Sequence, residues 1–382
     1  MVTTDSDTMT PLTAKINFLS SYQFNTDTEP FSLGTTVGFL DNAGKNTRFW
    51  EMAQIRREGE PVVVDQTKVV SNLFNKNIKH VSTSKENSVI FFSEDSQSTL
   101  YVYKYFSTGE KRVQASWFTW ELSGDIQYHT VQDDALYVVI RNGNKDVLQR
   151  FDLKLHDGTI TITDNMDTAA TTDDVTYKVH LDNVAEVSGL SSNAYSSTTG
   201  LTTFGLPTGY NSSKQLVAYD NSAGSGDSDT MGMYGLITVN GSTCTVPGDW
   251  TSNSFLIGYV FDMEVEFPTI HITNQAGESY KSDVAGTLVL HRAKLSLGEA
   301  GLFDTVLDRK GKPTYTETWE NPDADWYRAN QVNISSSITQ TVPIYEKNTN
   351  LTLTLKSSHP SPLTLQSLTW EGDYNTKFYR RA

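Results

Sequence analysis

Short runs in which apolar and polar side chains alternate, bounded by Gly, Asn, Asp and Ser, recur about every ten residues along the chain. Sustained helical periodicity is nearly absent, so the pattern predicts β-strands almost throughout. The clearest are Ser88 to Ser93 (SVIFFS), Thr99 to Phe106 (TLYVYKYF), Val113 to Leu122 (VQASWFTWEL), Ala135 to Arg141 (ALYVVIR) and Asp146 to Leu155 (DVLQRFDLKL). Alternation is imperfect across Tyr101, Val102, Tyr103, Lys104 and Tyr105, which marks a strand covered on both faces.

Within this stretch the chain echoes itself at an offset of 48, Val89 falling on Tyr137, with VIFFSEDSQSTLYVYKY lying over YVVIRNGNKDVLQRFDL. Each copy reads strand, polar turn, strand, and Asn142-Gly143 is a dipeptide that supplies the positive φ angles of a tight hairpin. Paired hairpins repeating at a period in the forties are what propeller blades show, and a generic meander fits two copies as well. The expectation is an N-terminal β region over 1–75 and propeller-like β-meander blades over 76–156.

After Leu155 the texture turns polar. Residues 157–255 read as a polar, loop-rich insertion, with Ser222 to Gly232 (SAGSGDSDTMG) a mobile loop. Long structureless loops in compact proteins tend to be functional, which singles out Ser191 to Asp229 as a candidate functional element. From Phe255 strands return, and 256–382 reads as a β-sandwich-like domain. His291 to Gly301 fits the start of a helix or a strand. The fold class is therefore all-β: propeller-like meander blades plus a β-sandwich-like C-terminal unit.

Composition adds that the chain folds: of 382 residues 37% are hydrophobic, with 18 Tyr, 17 Phe and 7 Trp. The opening MVTTDSDTMTPLTAK has no basic cluster followed by an apolar core, and no window approaches about 18 consecutive apolar residues. A soluble protein without the usual export signal or stable membrane insertion is expected. The single cysteine, Cys244, excludes an intrachain disulfide and a cysteine-rich metal site. The net charge of −15 argues against wrapping nucleic acid, because that affinity needs Lys and Arg to displace counterions. A like-signed wall suits a conduit through which a polyanion passes without adhering, and it equally suits ordinary solubility.

Candidate chemistry is sparse. The seven histidines (His80, His129, His156, His180, His271, His291 and His359) are scattered, with no pair at metal-ligand spacing. No nucleophile elbow, phosphate loop or dinucleotide fingerprint occurs. Glu51, Glu121, Asp133 and Asp134 sit beside aromatic strands, as glycosidase carboxylates do, and as residues of many binding and structural proteins do. Asp227 and Asp229 alternate as in a calcium loop but lack the remaining ligands. No catalytic residue, metal or cofactor is expected. Trp117 and Trp120, three apart, fall on opposite faces of a regular strand unless a bulge intervenes. They serve either as packing anchors or, with Arg56 and Arg57, as contacts between subunits.

The segment Lys111 to Asn142, KRVQASWFTWELSGDIQYHTVQDDALYVVIRN, resembles the signature of the tail tubular protein B, or nozzle, family of T7-like short-tailed bacteriophages. Upstream, Gly38-Phe39, FWEMA (Phe49 to Ala53), VVSNLFNKNIKHVSTS, SVIFFS and TLYVYKY follow the family's order; downstream, IGYVFDMEVEFPTIHI from Ile257 and the closing strands to LTWEGDYNTKFYRRA are similar to its C-terminal region. Family members are about twice this length, so the chain resembles their C-terminal half. The resemblance implies a non-enzymatic virion protein assembled in the host cytoplasm. It implies a homohexameric ring joined to an adaptor or gatekeeper ring, bearing tail fibres and passing double-stranded DNA. A virion receptor protein that binds or cleaves carbohydrate is the alternative, with Glu121 and Asp133 as the carboxylates to test.

Overall fold

A computed structural model of the chain describes residues 2–4, 14–16, 21–53, 62–75, 77–108, 111–154, 160–164, 175–220, 234–251, 254–260, 262–276, 279–319 and 334–376. Its regular structure is antiparallel strands with a few single 3-10 turns, and contacts divide it into two units, Met1–Gly158 and Thr159–Ala382. No helix among the described residues is long and apolar enough to cross a membrane.

In the first unit β1 (Val2–Thr4) and β2 (Ala14–Ile16) form a ribbon. Three meanders follow. The first is β3 (Phe31–Ser32), β4 (Thr36–Asp41), β5 (Arg48–Ala53) and β6 (Val62–Asp65). The second is β7 (Ile78–Ser84), β8 (Val89–Glu94), β9 (Thr99–Thr108) and β10 (Lys111–Glu121). The third is β11 (Asp125–Gln132), β12 (Ala135–Asn142) and β13 (Lys145–Asp152).

Packing explains the imperfect alternation of the second meander. All six residues of β8 are buried. Successive side chains of a strand point to opposite faces. On one face Ile90, Phe92 and Tyr103 pack with Leu40 and Phe49 of the first meander. On the other, Val89, Phe91, Leu100 and Val102 pack with Leu136, Val138 and Ile140 of the third. Each such side chain taken fully out of water contributes roughly 1.5–3 kcal/mol.

The internal echo corresponds to the hairpins β8–β9 and β12–β13. The β7–β8 hairpin also bonds to the third meander: Ser82 Oγ lies 2.7 Å from His129 Nδ1, and Asn87 Nδ2 donates to Asp134 Oδ1 at 2.9 Å. Gly143 takes φ 60° in the β12–β13 turn, and Asp133 and Asp134, both at positive φ, make the β11–β12 turn. The described strands of the unit are thus successive meanders packed against one another.

In the second unit β14 (Ile160–Asp164) and β15 (Val175–Val179) form a ribbon. Next come β16 (Asp182–Val187), β17 (Tyr195–Ser196), β18 (Leu201–Gly205), β19 (Leu216–Asp220), β20 (Tyr234–Asn240), β21 (Thr243–Pro247) and β22 (Phe255–Tyr259). They make one sheet in the order β16-β22-β19-β20-β21-β18-β17. Strand β20 pairs with β19 through Tyr234–Ile237 and with β21 through Thr238–Asn240, so the sheet changes partners along it around a core of Phe204, Leu216, Cys244, Val246, Trp250 and Phe255.

This corrects the reading of Ser191 to Asp229 as a long loop, because β17, β18 and β19 lie within it. Its strands are short, at two to seven residues, and several carry Thr or Gly between their buried side chains, as in Leu201–Gly205 and Thr243–Pro247, which reads as loop composition. Ser222 to Gly232, with Asp227 and Asp229, lies outside the described residues.

The remaining strands are β23 (Met263–Glu266), β24 (Thr273–Ala276), β25 (Ser279–Ser282), β26 (Thr287–Ala300), β27 (Phe303–Arg309), β28 (Tyr315–Trp319), β29 (Ile338–Lys347), β30 (Leu351–Ser357) and β31 (Leu363–Asn375). Sheet β23-β30-β27-β28 packs on sheet β29-β26-β31: Leu290, Ala293 and Val342 meet Leu307 and Leu353, and Leu295 and Leu297 meet Phe303 and Leu355. This is a β-sandwich. Residues His291 to Ala300, open between helix and strand in the sequence, belong to the 14-residue strand β26.

Candidate assembly surface

The first two meanders are locked together by a buried ion pair that no local pattern announces. Glu51 on β5 is 6% exposed, and both of its carboxylate oxygens accept from the guanidinium of Arg112 on β10, 61 residues away. Thr36 Oγ1 donates to Glu51 Oε1 at 2.6 Å and Gln66 Nε2 to Oε2 at 2.8 Å, while Tyr103 OH donates to Gln66 Oε1 at 3.0 Å. The Arg112 guanidinium also lies 4.2 Å from the Tyr105 ring centroid. Burial pulls the Arg112 pKa down, but the Glu51 carboxylate and Tyr103 outweigh it, and the net shift is upward.

Trp117 and Trp120 lie on opposite faces of β10. The one register shift in its pairing with β9 falls between Arg112 and Gln114, before both. The Trp117 ring sits 4.7 Å from Tyr103 and 5.3 Å from Phe74, and its Nε1 donates to the Gln66 carbonyl at 3.0 Å. Trp120 packs 5.7 Å from Phe91 and stacks on Phe151 at 6.0 Å. Each indole therefore packs against its own chain. Arg56 and Arg57 lie outside the described residues.

The carboxylates considered for catalysis are engaged separately. Glu51 is the ion-paired lock. Glu121 accepts from Thr99 Oγ1 at 2.7 Å and from Ser98 Oγ at 3.2 Å. Asp134 accepts from Asn87 and pairs with Lys154, and Asp133 occupies a turn at φ 48°. Among the described residues no group of three or more His, Cys, Asp or Glu is placed to hold a metal ion. His129 and His359 are buried, and that burial lowers each pKa to about 3, so both rings are neutral near pH 7.

What the first unit presents outward is an open edge. Strand β10 is the terminal strand of its sheet, and from Val113 to Trp120 it carries no charged side chain. Beside it Phe106 and Val113 are each 60% exposed. The third meander covers Leu100 and Val102 of the β9–β10 hairpin but leaves Lys104 and Phe106 to solvent. Edge strands usually carry charges, prolines or bulges that block pairing with another chain; here one bulge, at Arg112, precedes a long unguarded edge. The arrangement suits contact with another polypeptide. Sequence reasoning pointed to β10 through its tryptophans, whereas the exposed residues are Phe106, Val113 and Phe118, which only the lengths of neighbouring strands reveal.

Comparison with known proteins follows the same line. The family described as bacteriophage nozzle protein matches residues 1–381. The tail tubular protein gp12 of Escherichia phage T7 is 22% identical over 390 residues, covering 98% of this chain and 46% of that protein. The chain thus spans about half the length of that curated relative. Among solved structures, an exo-β-1,3-galactanase from Phanerochaete chrysosporium aligns over 92% of this chain and 99% of its own at 11% identity and a TM-score of 0.23. The same enzyme with galactose gives 0.22, covering 93% and 98% at 11% identity, and similarity this low carries no argument about fold or activity.

Proposed function

Because the chain belongs to the bacteriophage nozzle protein family, we propose that it is a non-enzymatic structural subunit of a phage tail, one that builds the wall of the conduit for genome DNA. The family match over residues 1–381 carries this reading, and the T7 relative named a tail tubular protein supports it. The physical character of the chain agrees. Stacked meanders buried face against face and a β-sandwich make stiff layers, and the buried Glu51–Arg112 pair holds two of those layers in one register. Such a wall bears load rather than turning over substrate. Its net charge of −15 keeps a passing polyanion from adhering.

In this reading copies of the chain form a homohexameric ring in the virion, which meets an adaptor or gatekeeper ring and carries tail fibres. The open β10 edge with Phe106 and Val113 is one of the surfaces at which neighbouring polypeptides meet. Light scattering and negative-stain images of the purified chain test the ring. A hexamer-sized particle with a central hole is expected, disrupted by Val113→Lys. A monomer at every concentration, alone and with the adaptor protein added, contradicts it.

A further inference from the structure

Six non-glycine residues among those described have positive φ, and five of them are Ser, Asp or Asn. Asn and Asp visit the left-handed region readily, and Ser88 and Ser96 lie in the tight turns of the β7–β8 and β8–β9 hairpins. The sixth is Tyr345, at φ 47° on β29. A ring-bearing residue holds that conformation only at a cost, and such strain concentrates where a side chain must be presented for function. Core packing does not account for it, because Tyr345 is 70% exposed.

The local register shows how the ring is presented. Pairing of β26 with β29 shifts between Leu290, opposite Glu346, and Arg292, opposite Pro343, so Ile344 and Tyr345 together face His291. On β26 Leu290 and Ala293 are buried, and the bulge turns the two residues between them, His291 and Arg292, toward solvent. The His291 ring lies 5.8 Å from that of Tyr345 with 22° between planes, and His291 Nε2 is 3.1 Å from Asp373 Oδ2 on β31. Asp373 is itself 84% exposed at its side chain. Tyr345, His291 and Asp373 thus form a row across all three strands of the outer sandwich face. Beside it Arg292 Nε donates to Glu371 Oε2 at 2.6 Å and Lys294 Nζ to Oε1 at 2.9 Å.

We propose that this row is a binding site for a neutral sugar, a pyranose stacking its apolar face on Tyr345 and hydrogen-bonding through its hydroxyls to Asp373 and His291. The chemistry of the surroundings selects that class. Arg292 and Lys294 are balanced by Glu371 and Asp373, so no excess charge favours an anion or nucleic acid. The other outward residues of the face include Thr341, Ser296 and Thr369, hydroxyl-bearing neighbours suited to a polar ligand rather than to the apolar anchors of a protein interface. Tyr offers an apolar face beside a polar tip, the combination a sugar ring requires. This site is independent of the tail-subunit reading and does not call for hydrolysis.

Saturation-transfer NMR on the full chain, with oligosaccharides of glucose, galactose and N-acetylglucosamine at millimolar concentration, tests it. Transfer to at least one sugar is expected. Tyr345→Gly removes the ring and relieves the backbone, so it should lower transfer by about fivefold or more while the melting temperature stays level or rises. Tyr345→Phe should retain most of the signal, and Asp373→Asn should weaken it. No transfer to any of the three sugars overturns the proposal, as does transfer that survives Tyr345→Gly. Loss of particle assembly in Tyr345→Gly without any sugar signal assigns the ring to a protein contact and overturns it equally.

Discussion

The middle of sheet β7–β10, made by β8 and the first half of β9, and sheet β29-β26-β31 are built from similar antiparallel strands, yet one is buried on both faces and the other on one. In β8 every residue is buried, whereas β29 alternates buried and exposed over Ile338 to Tyr345. The difference separates two jobs. A sheet enclosed by layers on both sides has no free face to display chemistry and serves to join its neighbours. A sheet with one free face can vary its outward residues at little cost, and it is there that the ion pairs of Arg292 and Lys294 and the strained Tyr345 are found.

The largest expected effect breaks the enclosed sheet. Phe92 is fully buried against Phe49, Phe74 and Trp117, so Phe92→Ala should cost about 3–5 kcal/mol in urea denaturation, while Thr341→Ala on the open face should change almost nothing. A loss for Phe92→Ala below about 1 kcal/mol would mean the layers are not joined there. Next is the lock. Glu51→Ala strands a largely buried guanidinium and should cost about 3–5 kcal/mol, whereas Glu51→Leu with Arg112→Met should recover most of it. If the double variant is as unstable as the single one, the pair does more than satisfy itself.

Acid should weaken both units through buried histidines, His359 in the second and, in the first, His129 beside the half-buried His80, whose pKa burial also lowers. Burial lowers the pKa of His129 and of His359 to about 3, against about 6.5 in an unfolded chain. Above pH ~6.5 neither state binds the proton and stability is level. Below it the unfolded chain protonates first, so each residue removes about 1.4 kcal/mol per pH unit, or about 2.7 kcal/mol at pH ~4.5. Melting curves between pH ~4.5 and ~7 should show this fall, made shallower in His129→Asn; an unchanged slope would trace acid sensitivity to other groups. The smallest effect is on the open face: Glu371→Gln, at an exposed pair, should leave the melting temperature unmoved.

Much of the fold is legible in the sequence wherever apolar side chains are dense. The broken alternation of Tyr101 to Tyr105 marks the two-sided sheet, and the echo of Val89 on Tyr137 marks the repeated hairpins. Period two also puts Trp117 and Trp120 on opposite faces. The polar tract from Val187 to Ser254 hides five strands of the seven-stranded sheet, because they are short and separated by Ser-, Thr-, Gly- and Asn-rich turns. The Glu51–Arg112 pair is invisible for another reason: it joins residues 61 apart whose proximity depends on how two sheets stack. The strain at Tyr345 is likewise set by a register shift with β26, which no local turn signal encodes.

The central claim is that the chain is a building block of a phage tail, and gold-labelled antibodies raised against it, applied to intact virions and imaged by electron microscopy, test that most directly. The account predicts gold confined to the tail, at a fixed distance from the capsid vertex. Gold over the capsid, or none on virions whose tails are intact and accessible, would contradict it.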